Sequence, residues 1–125
     1  MNILFVCTGN ISRSLLAHKL LENEIEVHNL YDISVSSAGL YAYPGSPPDP
    51  KIVDYLLQKG IRVERHEARQ ITEEDVDWAD HILVMERDHA KILEKKWPGA
   101  KDKVELFGKF ASGGLGEDEI IDPFG

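Results

Sequence analysis

Cys7 is followed six positions later by Arg13, in the run Cys7-Thr8-Gly9-Asn10-Ile11-Ser12-Arg13-Ser14. These residue types at this spacing suit nucleophilic attack on phosphorus. A free thiol ionises near pH 8.5, and a helix N-terminus or a nearby cation can bring that down to about 3.5–7.5, where the nucleophilic thiolate dominates at neutral pH. Backbone amides from Thr8 to Arg13 can curl into a nest of donors, and a guanidinium offers two phosphoryl oxygens a planar fork that a lysine lacks. The competing reading of Cys7 is a small buried hydrophobe at the end of a strand. In a phosphocysteine pathway the leaving group needs a proton and the second step needs a base. Asp122 stands out for that task because Pro123 stiffens its loop, although Asp-Pro is also an ordinary turn.

The flanking pattern sets this loop between a strand and a helix. Asn2 to Val6 read as a short buried strand, and Ser14 to Glu24 carry the apolar positions Leu15, Leu16, Ala17, Leu20 and Leu21 of a helix. Ile33 to Ser37 are the next strand. Asp49 caps a helix with Pro50 at its first position and Gly60 as its stop. Ile61 to Val63 are expected as a strand, and Thr72-Glu73-Glu74-Asp75 begin a short helix with acids in its first turn. His81 to Met85 read as a buried strand, Asp88 to Trp97 as a helix and Lys103 to Phe107 as the last strand, before a Gly-rich acidic tail. Strand and helix in alternation predict a parallel sheet with helices on both faces and a ligand site at the carboxyl ends of its strands.

The bulk numbers narrow the function. A chain of 125 residues suits one domain, spanning 1–125, with a core that needs no disulfide or metal. The net charge of −8 carries no basic stripe, which argues against nucleic-acid binding. One cysteine, the absence of a signal-peptide pattern and the lack of a long apolar run predict a soluble cytoplasmic protein with no membrane association. The five histidines show no metal-ligand spacing and are expected to be solvated or structural.

Cys7 to Ser14, taken with Ser37-Ala38-Gly39, Ala68-Arg69-Gln70-Ile71, Ile82-Leu83-Val84-Met85 and Asp122-Pro123, resembles the low-molecular-weight protein tyrosine phosphatase family over nearly the whole chain. The resemblance implies a single-domain three-layer sandwich with a four-stranded parallel sheet. It implies Cys7 as nucleophile, Arg13 as phosphate clamp, Asp122 as general acid and then base, and Thr8, Gly9, Asn10, Ile11 and Ser12 as the rest of the phosphate-binding loop. Ser14 would donate its hydroxyl to the Cys7 thiolate. Asn10 would sit in a left-handed conformation supported by Ser37, which could equally be a plain strand-end serine. Tyr43 and Phe124 align with positions lining the substrate slot, where ordinary loop packing is the other reading.

The implied activity is hydrolysis of phosphotyrosine in proteins or peptides without metal or cofactor, with inorganic phosphate and other oxyanions as inhibitors. Bacterial relatives that hydrolyse phosphoarginine share the Asp-Pro-Phe-Gly ending but place threonine where this chain has Ile11, whose apolar bulk suits an aromatic substrate. A phosphate-binding regulatory module with little turnover is the non-enzymatic alternative. Ser12 stands where many relatives have a second cysteine, so no protective disulfide is expected, and Leu15 replaces the usual proline after the loop. Relatives continue past the Asp-Pro motif into a C-terminal helix. The sequence given stops at Gly125, either as a truncated form or because the protein does without that helix, and loss of the helix is expected to expose an apolar strip on one sheet face.

Overall fold

A computed structural model describes residues 1–63 and 65–108. The expected apolar strip, Asp122 and Phe124 rest on residues outside that range. Four strands, β1 (Asn2–Cys7), β2 (Ser34–Gly39), β3 (His81–Val84) and β4 (Val104–Leu106), form one parallel sheet in the order β2-β1-β3-β4. The helices between them are α1 (Arg13–His28), α2 (Pro50–Gln58), α3 (Glu73–Trp78) and α4 (Arg87–Lys96), followed by a 3₁₀ turn over Pro98–Lys103. Among the described residues no helix is long and apolar enough to cross a membrane.

Strand β1 is central and buried on both faces, so its alternation sorts residues between two cores rather than between core and solvent. Leu4 and Val6 join Ile82, Val84, Val76 of α3 and Leu93 of α4 on one side. Ile3, Phe5 and Cys7 join Leu83, Met85 and Ala17 of α1 on the other. Helix α2 packs on α1 through Leu15, Ile52 and Leu56.

Local signals account for most boundaries. Asp49 caps α2 through a bond from the Lys51 amide (2.9 Å), Pro50 opens the helix, and Gly60 follows it with φ at 80°. Thr72 and Asp75 cap α3 reciprocally. Helix α1 runs four residues beyond the expected Glu24 and stops at Asn29, which takes the left-handed conformation with φ at 55°.

Ile61–Val63 is not a strand. Ile61 and Val63 pack instead against the Leu15, Ile52 and Leu56 cluster between α1 and α2. The outer edge of β2 is met further along the chain, by a single parallel bridge from Gln70 to Gly39. A three-residue apolar run carries no period long enough to separate a strand from a packed extended segment.

Candidate active site

In the order β2-β1-β3-β4, the chain leaves β1 toward β2 and later crosses to β3, so the connections diverge between β1 and β3. Such divergence opens a crevice at the carboxyl ends of the strands. Cys7 ends β1 at that point and is buried, 2% exposed, with the loop 8–12 leading directly into α1.

The loop is held from behind through its carbonyls. Leu40 N–H donates to Cys7 O (2.9 Å), Tyr41 N–H to Thr8 O (3.0 Å) and Asp49 N–H to Ile11 O (2.9 Å). His66 Nε2 donates to Asn10 O (2.7 Å). No peptide here is cis, and in a trans peptide the carbonyl and the following N–H point in opposite directions. Four carbonyls anchored to the scaffold therefore turn the amides of Thr8, Gly9, Ile11 and Ser12 to the other side, as a concave set of donors. Such a nest attracts anions.

Two residues let the backbone follow this path. Asn10 has φ at 58°, a conformation asparagine tolerates better than most residues. Gly39 lies so near the loop that a Cβ there would stand 2.6 Å from Thr8 O and 3.0 Å from Gly9 C.

Around the sulfur the contacts form a short network. Ser14 Oγ lies 3.0 Å from Cys7 Sγ and accepts a bond from Asn10 Nδ2 (2.9 Å), which leaves its own proton available for the sulfur. Asn10 N–H points at Sγ from 3.4 Å, and Asn10 Oδ1 accepts from the Arg69 amide (3.0 Å). Asn10 and Ser14 are completely buried, so each bond is shielded from water. The expected partner of Asn10, Ser37, is engaged elsewhere: its hydroxyl lies 2.8 Å from His18 Nδ1. Ser14 and the Arg69 amide hold the asparagine side chain instead.

Arg13 opens α1 with its side chain 6% exposed, and its Nη1 donates to Glu86 Oε1 (2.5 Å) from across the crevice. Glu86 directly precedes α4, and its N–H donates to Nδ1 of His89 (3.2 Å). An Nδ1 that accepts fixes the proton of neutral imidazole on Nε2, which stands 3.1 Å from Thr8 Oγ1. Tyr43 projects into solvent, 84% exposed, as does Tyr41. Gln70 clamps their loop with bonds to Leu40 O (2.7 Å) and from Ala42 N–H (2.9 Å). His66 is shifted below its ordinary 6.5, first by burial and further by Lys19, His18 and Arg69, against the opposing effect of the Asn10 carbonyl.

The structure thus brings Cys7, Thr8, Asn10, Arg13 and Ser14 into one site. It adds four residues not singled out as site candidates by the sequence pattern: Asp49, His66, Glu86 and His89. Of these only Asp49 carried a local signal, as the cap of a helix opened by Pro50. Among the described residues no group of three His, Cys, Asp or Glu side chains could hold a metal ion.

Comparison with known proteins extends the match beyond the loop. The family model for low molecular weight phosphotyrosine protein phosphatase matches residues 2–125. The chain is 42% identical over 123 residues to a protein-arginine-phosphatase of Geobacillus stearothermophilus, covering 98% of this chain and 78% of that protein. It is 38% identical over 123 residues to the low molecular weight protein-tyrosine-phosphatase Wzb of Escherichia coli, with the same coverage of both chains. The solved structure of Vibrio vulnificus Wzb in complex with benzylphosphonate superposes with a TM-score of 0.84 at 32% identity, covering 98% of this chain and 81% of that one. The chain belongs to the low molecular weight phosphotyrosine protein phosphatase family, and with it to the phosphoric monoester hydrolases.

Proposed function

We propose that this protein hydrolyses phosphotyrosine in proteins and peptides through a phosphocysteine on Cys7. The sulfur attacks phosphorus in line, the P–S bond forms as the P–O bond to the phenol breaks, and the Asp122 carboxyl gives the phenolate its proton. Asp122 then takes a proton from water, whose oxygen displaces the sulfur and releases inorganic phosphate. Arg13 and the inward amides meet the charge that builds on the equatorial oxygens, the largest single contribution in reactions of this kind. Ser14 and the Asn10 amide stabilise the sulfur as it leaves. Inorganic phosphate and other oxyanions compete for the same donors. A working thiol needs a reducing compartment, which fits a cytoplasmic enzyme.

The observation that carries the choice of substrate is Ile11. Its half-buried side chain lies over the loop backbone, with Cγ1 3.8 Å from the point where a Cβ on Gly9 would stand. A phenyl ring gains from that apolar surface. A phosphoguanidinium brings N–H donors that isoleucine leaves unpaired, and unpaired polar groups are what give such sites their discrimination. Phosphoarginine is the second reading, favoured by the 42% identity to a protein-arginine-phosphatase.

The test compares kcat/KM on a phosphotyrosine peptide and on a phosphoarginine protein for the wild type, Cys7→Ser and Ile11→Thr. Phosphotyrosine is expected to be preferred by about 10–200-fold, the discrimination typical of an apolar contact. Ile11→Thr should narrow the gap, and Cys7→Ser should turn over neither substrate. A wild type that prefers phosphoarginine overturns the assignment, and a fully active Cys7→Ser overturns the mechanism.

A further inference from the structure

His89 is only 3% exposed, and its imidazole is engaged at both ends. Nδ1 accepts the backbone N–H of Glu86 at the start of α4, and Nε2 faces the hydroxyl of Thr8 at the start of the phosphate-binding loop. The acceptor role of Nδ1 leaves only one tautomer, so the contact to Thr8 runs from Nε2–H to Oγ1.

Thr8 is the residue directly after the proposed nucleophile. From the β2 side its two flanking carbonyls are held by Leu40 and Tyr41. Those bonds fix the planes of its peptides but come from one direction. On the β3 side, the imidazole of His89 reaches the Thr8 hydroxyl. The same helix start sends the Glu86 carboxylate to Arg13, so the first and last residues of the loop are both tied across the crevice to α4.

We infer that His89 is a positioning residue for the reaction, holding Thr8, and with it the peptide that follows Cys7, at the distance from the sulfur that in-line transfer requires. This rests on the phosphocysteine reading above. Its effect is a matter of geometry: misplacement of reacting groups by about 1 Å costs on the order of 10²-fold in rate, and one lost tether among several should cost less.

Two substitutions at His89 separate the ends of the ring. Asparagine can present an acceptor near the Nδ1 position but reaches no further, so His89→Asn keeps the bond from Glu86 and loses Thr8. Glutamine places an amide N–H near the Nε2 position, so His89→Gln keeps Thr8. Thr8→Val, at an exposed position, removes the hydroxyl and preserves the shape.

The measurements are kcat and KM on an aryl phosphate, with melting temperature alongside. The expected outcome is a fall in kcat of about tenfold in His89→Asn and in Thr8→Val, with no further fall in the double variant. His89→Gln should recover most of the rate even where its melting temperature is the lower of the two. Thr8→Val at the wild-type rate overturns the inference, as do His89→Asn and His89→Gln losing rate in step with stability. A wild type without turnover fails the phosphocysteine reading itself, an outcome distinct from both.

Discussion

Replacing Asn10 by alanine tests the account of the loop most directly. The substitution removes two bonds from a fully buried side chain, to Ser14 Oγ and from the Arg69 amide, at 2.9 and 3.0 Å. Each contributes roughly 1 kcal/mol net. It also places alanine at a φ of 58°, where a side chain with no local polar bond adds about 1 kcal/mol of strain. The expected destabilisation is therefore about 3 kcal/mol, read as the change in unfolding free energy from urea titration. Asn10→Gly loses the same bonds without the strain and should recover up to about 1 kcal/mol of the difference. On an aryl phosphate both variants should lose about 10²-fold in kcat, because Ser14 no longer has the partner that orients its hydroxyl toward sulfur. A loss in stability under about 1 kcal/mol, or an unchanged kcat, would refute the view that Asn10 organises the loop.

Gly39→Ala should destabilise by about 1–3 kcal/mol and reduce turnover, since its Cβ meets backbone atoms of Thr8 and Gly9 that cannot rotate away; urea titration and kcat read both effects. Glu22 is held down to about 2 from its ordinary 4.5, chiefly by its hydrogen bond to His18 and then by Lys19. A depressed carboxyl contributes stability that is complete above pH 4.5 and is lost as pH falls toward 2. With the side chain 47% exposed, solvent screening leaves about 1 kcal/mol, which Glu22→Gln should remove from the acid limb of the stability profile. His66 is shifted the same way, so the unfolded chain takes its proton first. Stability should decline as pH falls below about 6.5, with His66→Gln flattening that slope in urea titrations at pH 5–7.

The sequence exposes the features that act locally. Strand β1, the capped start of α2, the acidic start of α3 and the left-handed Asn10 all follow from residue types at fixed offsets. Ile61–Val63 misleads because apolar content alone marks burial, and these residues find it between two helices rather than in the sheet. Ser37 is diverted by His18, a partner one turn past Ser14 on a helix whose facing in space no local pattern gives. Glu86, His89 and His66 come to the loop from 56 to 81 residues away. A histidine read as structural on its spacing does prove to be tied into hydrogen bonds, but which group it holds is decided only when the sheet has assembled.

The two ties across the crevice have a consequence for the order in which the protein forms. Thr8 meets His89 and Arg13 meets Glu86 over sequence separations of 81 and 73 residues. Contacts that close chain loops of this length are the slow ones in folding, because their entropy cost precedes their reward. The β1–α1 unit can thus place Cys7 and Arg13 near one another early, yet the loop between them stays unfinished until β3 and α4 have docked. Competence for phosphate in this sense awaits the docking of β3 and α4, and molecules folded only through β1 and α1 carry the nucleophile without the means to use it.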